Sequence, residues 1–326
     1  MSDRVAMIGA ILISDAMSLT PPRPNVAITI LCVLWLGHAA WPSVVLAQGS
    51  NEHSMYVSVV DGDNTPIRDL TPTDFVVEED GQEREVLRVG PTSTPMQIAL
   101  LVDTSAATTN ATRDLRRGLE TLAARLLDGN QVTLVTFGGP PRILVESTTR
   151  TNRLQDGIGQ IFGVSNTAAY LLDALVETAR GFERRESPRP VIIAITGEGL
   201  DHSSRNARQV LDLLKANNVE THVVVLRRRS MSAFNDPADQ RALEDGRRER
   251  DLIISRAPRE TGGRRHELAV SMRLGDTMEQ LAHIITNQYE VVYARPTSLI
   301  PPEEIRVRAR HAELTAHGTP ARRIGD

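Results

Sequence analysis

Gln97-Ile98-Ala99-Leu100-Leu101-Val102-Asp103-Thr104-Ser105 decides the fold of this chain. Five apolar residues run unbroken into a carboxylate and two hydroxyls. A half-buried strand would alternate in polarity. An unbroken run of strand length fits a strand covered on both faces, as in a parallel sheet. A helical stretch follows, with Leu115, Leu119, Leu122 and Leu126 at helical spacing. The alternation then repeats. Residues 131–137, 190–195 and 220–226 read as strands, and 143–145 as a short one. Residues 154–161, 168–182, 207–216 and 278–285 read as helices, and 289–293 close the series as a strand. Strands alternating with helices make a doubly wound, mostly parallel α/β sheet. On such a sheet ligands bind at the carboxyl ends of the strands. The candidate functional residues are therefore those that follow each buried run.

Outward from this core the pattern changes. Residues 55–60 alternate and are β-branched, Asp61-Gly62-Asp63-Asn64 signals a turn, and residues 75–79 and 85–89 flank a hairpin turn at Asp80-Gly81. This leader, 48–95, is too small to bury much alone. Residues 305–309 alternate in the same way, and the two are expected to pair beside the main domain. The α/β domain spans 96–296, and 297–326 form a C-terminal strand and tail. Within the domain, residues 227–265 are polar with charges of both signs. They read as a solvated helix and loop, with a partner-binding insertion as the alternative.

Composition narrows the function. The 326 residues carry a net charge of -4 and only 3% aromatics. A nucleic-acid binder needs a basic excess, and a base-stacking platform needs aromatic residues. Cys32 is the only cysteine, which excludes a disulfide framework and a thiolate metal site. It lies in the apolar run 26–36, which is preceded by Arg23 and followed by small residues at Val45 and Ala47. That is the pattern of a secretory signal spanning 1–47, cleaved after Ala47, with Met17 as an alternative start. The expected location is periplasmic or extracellular. The alternative is an uncleaved inner-membrane anchor, the only case in which a membrane would be a partner.

Asp103-Thr104-Ser105 follows the first buried strand, Asn166-Thr167-Ala168-Ala169 precedes a helix, and Thr196-Gly197-Glu198-Gly199 follows another buried strand. The arrangement resembles the von Willebrand factor A domain and its metal-ion-dependent adhesion site. Other residues extend the resemblance to the related proteins abundant in Acidobacteria. They are Val57 to Gly62, Leu70 to Phe75, Glu79 to Gln82, Asn287 to Tyr293 and Ile305 to Arg310. The resemblance implies a Mg²⁺ or similar ion held by an Asp-x-Ser-x-Ser loop, a Thr and a further Asp. Hard cations take such oxygen ligands. Here Asp103, Ser105 and Thr167 match, while Ala107 and Gly197 replace a serine and an aspartate. The site thus reads as degenerate, with Glu198 or Asp201 as substitute ligands and at most weak binding of a divalent cation. In the metal-free alternative, Asp103 and Ser105 bond their own loop and Thr167 caps the next helix.

Other signals are weaker. Gly157-Ile158-Gly159 lacks the spacing and the preceding strand of a dinucleotide loop. A Ser105–His202–Asp trio lacks a nucleophile elbow, so a serine hydrolase is only the alternative function. No catalytic residue and no cofactor is expected. The leading expectation is an exported protein-binding module, acting as adhesin or scaffold on an unidentified protein partner, metal-independent or weakly metal-assisted. A structural envelope protein held by its N-terminal segment is the other alternative.

Overall fold

The computed structural model describes residues 51–227, 237–296 and 300–322. The apolar N-terminal stretch and the signal expected there lie outside the described residues. In chain order the leader supplies β1 (Asn51–Val60), β2 (Phe75–Glu79), β3 (Gln82–Arg84) and β4 (Val86–Pro91). Then come β5 (Gln97–Val102), α1 (Thr112–Leu126), β6 (Gln131–Thr136), β7 (Arg142–Thr148), α2 (Thr151–Gly159) and α3 (Leu171–Arg184). They are followed by β8 (Pro190–Gly197), α4 (Ala207–Ala216), β9 (Glu220–Leu226), α5 (Pro237–Glu260), β10 (Arg265–Leu268) and α6 (Leu274–Thr286). The chain continues through β11 (Tyr289–Arg295), β12 (Ile305–Ala309) and β13 (Thr315–Pro320).

The strand with the unbroken apolar run lies inside a six-stranded sheet of order β10-β9-β8-β5-β6-β7. Every neighbouring pair is parallel except β6 and β7. Ile98 stands between Val132 and Val191, and Leu100 between Leu134 and Ile193. Alternate side chains of β5 feed opposite layers. Ile98, Leu100 and Val102 pack with Leu115, Leu119 and Leu122 of α1 and Met278 and Leu281 of α6. Ala99 and Leu101 pack with Leu172 and Leu175 of α3, Val210 of α4 and Ile253 of α5. Both faces are dry, which is why the run does not alternate. Burial of one leucine contributes about 2 kcal/mol.

The leader and the C-terminal segment pair as expected, in two places. β13 lies against β1 in a four-stranded sheet of order β13-β1-β11-β4, and β12 lies against β2 in a three-stranded sheet with β3. They share a core of Met55, Val57, Phe75, Val77, Tyr289, Val291 and Tyr293. Two placements differ from the sequence reading. β11 does not join the doubly wound sheet. It turns back after α6 and pairs antiparallel with β1, Met55 opposite Val291. The parallel edge next to β9 is taken instead by β10, whose charged sequence Arg265-His266-Glu267-Leu268 hid it. An edge strand this short needs few apolar positions, and only Leu268 is buried.

A buried polar network joins the two parts. Arg189 donates to the carbonyls of Thr94 (3.0 Å) and Ile285 (3.1 Å) and to Gln288, and lies 4.8 Å from the ring of Tyr56. Glu220 Oε1 accepts from His222 Nε2 and Gln288 Nε2, both at 2.8 Å. Burial opposes the Glu220 charge, yet the His222 bond and the Arg189 charge hold its pKa below the usual carboxylate range. His222 Nδ1 accepts the Arg264 backbone N–H, which assigns the ring proton to Nε2.

Candidate binding face at the carboxyl ends of the strands

Asp103 ends β5 and is fully buried. Its Oδ1 accepts the Ser105 N–H at 2.8 Å, a local turn that short carboxylates favour. Its Oδ2 accepts the Gly197 N–H at 2.9 Å and the Thr196 hydroxyl at 3.1 Å. The carboxylate therefore ties the first loop to the third. Ser105 is 1% exposed, and its Oγ accepts the Ala107 N–H at 3.3 Å. Thr108 Oγ1 donates to the Asp103 carbonyl at 2.7 Å, completing the turn.

The second loop is stitched to the first by backbone. Val164 N–H donates to the Thr104 carbonyl (2.7 Å) and Ala106 N–H to the Thr167 carbonyl (3.2 Å). Thr167 Oγ1 donates to the Val164 carbonyl at 2.9 Å. Thr167 is thus not the cap of α3. That helix starts at Leu171, after Ala169 bridges to Asp201. Its first N–H groups are met from the third loop instead. Asp201 Oδ2 accepts from Leu171 N–H (3.0 Å), and Ser203 Oγ from Leu172 (3.0 Å) and Asp173 (3.3 Å). Asp201 Oδ1 accepts Ser203 N–H at 2.8 Å. Burial pushes the Asp201 carboxyl above its ordinary range, partly offset by those bonds and by the nearby Arg250 charge.

Arg250 comes from α5 and is 2% exposed. It donates to the Gly197 carbonyl and, at 3.0 Å, to Asp251. Glu249 beside it accepts the Ala207 N–H at the start of α4. So the polar insertion is not a solvated helix throughout. One face of α5 buries Arg250, Ile253, Ile254 and Ala257 against the sheet. Arg228 and Arg229 lie outside the described residues.

The residues at 107 and 197 fit each other. A Cβ at Gly197 would stand 2.8 Å from the Ala107 methyl and 2.9 Å from Thr108 Cγ2. The close approach leaves no room for an aspartate there without displacing the first loop. Glu198 lies 3.5 Å from Arg227 on the surface, and Asp201 is committed to α3. Among the described residues no group of three or more His, Cys, Asp or Glu side chains is placed to hold a metal ion. The donor set implied by the resemblance fits a hard divalent cation poorly in this arrangement, because only one carboxylate matches and it is already held by three N–H and O–H donors. The Ser105–His202–Asp trio is not assembled either. His202 is exposed, edge-on to Tyr170 at 6.2 Å, and Ser105 is buried in its own turn.

Around these closed loops several apolar side chains are exposed among polar ones. Of the seven large hydrophobic side chains exposed among the described residues, Ile143, Phe162, Val164, Val270 and Met272 all sit at this end. Ile143 is paired to the last residues of β6, Phe162 and Val164 lie between α2 and α3, and the other two follow β10.

An open α/β sheet with helices on both faces and its loops gathered at the carboxyl ends defines a class of ligand-presenting domains. Residues 98–200 match the family model of the von Willebrand factor type A domain. Solved structures align at low identity. A von Willebrand factor type A protein from Catenulispora acidiphila is 10% identical over 86% of this chain and 76% of its own, TM-score 0.45. An aerotolerance-related membrane protein from Bacteroides fragilis NCTC 9343 is 15% identical over 57% of this chain and 98% of its own, TM-score 0.41. No curated protein matches the sequence. Among the described residues no helix is long and apolar enough to cross a membrane.

Proposed function

We propose that this protein is an exported binding module that presents the carboxyl end of its doubly wound sheet to a protein partner without a divalent ion. The observation that carries the reading is the gathering of Ile143, Phe162, Val164, Val270 and Met272 at that end. Exposed apolar side chains collected on one face mark interaction sites, whereas scattered ones need no explanation. The closed loops support the metal-free part. Asp103 already has three donors, and a partner's carboxylate would meet no cation there. The burial of Ser105 supports a non-catalytic reading of that residue. Export rests on the N-terminal segment and belongs to the proposal.

A photo-crosslinking amino acid at position 162 or 272, in cells of the source organism, tests the reading. The same protein adduct should appear from both positions, survive EDTA, and be absent when the crosslinker replaces Asp128 at the opposite end of α1. Adducts from Asp128 alone, or adducts lost with EDTA, would refute it.

A further inference from the structure

We propose that the α1 side of this end face docks an acidic segment of a partner protein, with Phe162 and Val164 taking an apolar side chain and arginines of α1 taking carboxylates. The inference rests on the reading of the end face as a binding surface and adds the chemistry of its ligand.

Phe162 is 65% exposed, yet it is not loose. The guanidinium of Arg116 lies 4.7 Å from its ring centroid. Arg116 in turn donates through Nε (3.0 Å) and a terminal nitrogen to the carbonyl of Ile161, the residue before the phenylalanine. On the other side, a Cβ at Gly163 would stand 2.7 Å from Thr109 Cα, so that the backbone is pressed against the first loop. The Val164 N–H bond to Thr104 holds the next residue. An aromatic ring displayed on a backbone fixed at both ends loses little freedom on binding. Such rigid aromatic anchors, with arginine, dominate the energetics of protein interfaces.

The electrostatics select the partner. Arg113, Arg116 and Arg117 stand at helical spacings of three and four, a strip along the first turns of α1 beside Phe162. Arg113 and Arg117 are exposed and form no ion pair among the described residues. The carboxylate of the first turn, Asp114, is turned to the far side of the helix, where it accepts the Ser271 hydroxyl at 2.5 Å. The two carboxylates nearest the centre of the face, Asp103 and Asp201, are buried and satisfied. The positive end of the α1 dipole adds to the arginines. What remains beside Phe162, short of Glu120 one turn further along the stripe, is a positive strip against an apolar knob, complementary to a segment that carries carboxylates next to an apolar side chain. A basic segment would be repelled.

The test is selection of random displayed peptides on the full chain, counter-selected on the variant Phe162→Ala/Arg113→Glu/Arg117→Glu. Enriched peptides should be acidic and contain an apolar residue. The best synthetic peptide should bind at least about tenfold more weakly to Phe162→Ala and several-fold more weakly in high salt. Phe162→Trp should retain binding. Because all three altered side chains are at the surface, circular dichroism should show unchanged folding. Neutral or basic enriched peptides, or binding indifferent to Phe162→Ala, would overturn the inference. Acidic peptides from a parallel selection without the variant that instead depend on Val270 and Met272 would sink this patch while leaving the end-face reading intact. If no peptide is enriched over the variant, this patch falls, while the end-face reading is judged separately by the crosslinks from position 272.

Discussion

Acid should loosen this protein well above the pH at which carboxylates protonate, and the cause lies at one buried spot. His266 on β10 and His317 on β13 each have their pKa pushed down to about 4 from 6.5. Burial is the first cause for both, and the neighbouring Arg264 and His222 add to it, while Glu220 opposes it for His317. The unfolded chain takes up these two protons as the pH falls through about 6.5, but the folded protein refuses them until about pH 4. Their contribution is therefore intact above neutrality and is lost progressively between those limits. At about pH 4.5 the loss amounts to about 2.5 kcal/mol per histidine, or about 5 kcal/mol for the pair. That is a large share of the stability of an ordinary domain. The assay is guanidinium unfolding followed by circular dichroism from about pH 7 to about pH 4.5, on the wild type and on His266→Asn/His317→Asn. Carboxylates held below their usual range, such as Glu260 and Asp74, lose stability in both proteins toward the acid end. The difference between the two curves isolates the histidines. The variant should lose about 5 kcal/mol less than the wild type over the range. Parallel curves would refute the reasoning.

Three further outcomes are expected. Arg250→Met removes the guanidinium on the Gly197 carbonyl and the charge near buried Asp201. It should cost about 3 kcal/mol in chemical unfolding, and a loss below about 1 kcal/mol would show that the contact is dispensable. Asp201→Ala removes the acceptor at the start of α3 and should cost about 1–2 kcal/mol, with faster exchange of the Leu171 amide; Thr167→Val should leave that amide protected. Introducing Ala107→Ser and Gly197→Asp together should not create Mg²⁺ binding by calorimetry, because the aspartate enters the space of the first loop. Saturable heat from that variant would show that the loops open readily.

Much of the fold was legible because apolar continuity is a strong signal. The apolar runs at 98–102, 191–195 and 223–226 are buried on both faces. The leader's pairing with residues 305–309 followed from two alternating segments that could not stand alone. β10 escaped notice because an edge strand of four residues carries almost no hydrophobic pattern. β11 was legible as a strand but not as to its sheet, since alternation says which faces are buried and not which partner lies alongside. At the site, Asp103 was placed by position after a buried run, and its turn with Ser105 is as the metal-free alternative reads it. The cap of α3 was misassigned to Thr167, because capping from a loop thirty residues downstream leaves no local trace. Arg250 was missed, although a signal was present. Residues 250, 253, 254 and 257 fall on one helical stripe, and the last three are apolar. A charged residue on such a stripe is buried with a partner.

The clasp between leader and C-terminal strands has a consequence for the order of assembly. Glu78 and Arg308 meet across 230 residues of intervening chain. During synthesis the leader emerges before the domain; β2 and β3 pair with each other at once, but β1 and β4 have no neighbour until β11 has followed, and the far edge of β2 none until β12. The α/β domain between them contains every strand of its own sheet and is able to collapse meanwhile, whereas closure of the clasp waits for β12 and β13 and is entropically slow. Refolding should accordingly show a fast phase in helix signal and a slow one in protection of β1 and β2. A polypeptide in transit would pass through a stage with its domain formed and its two ends still apart.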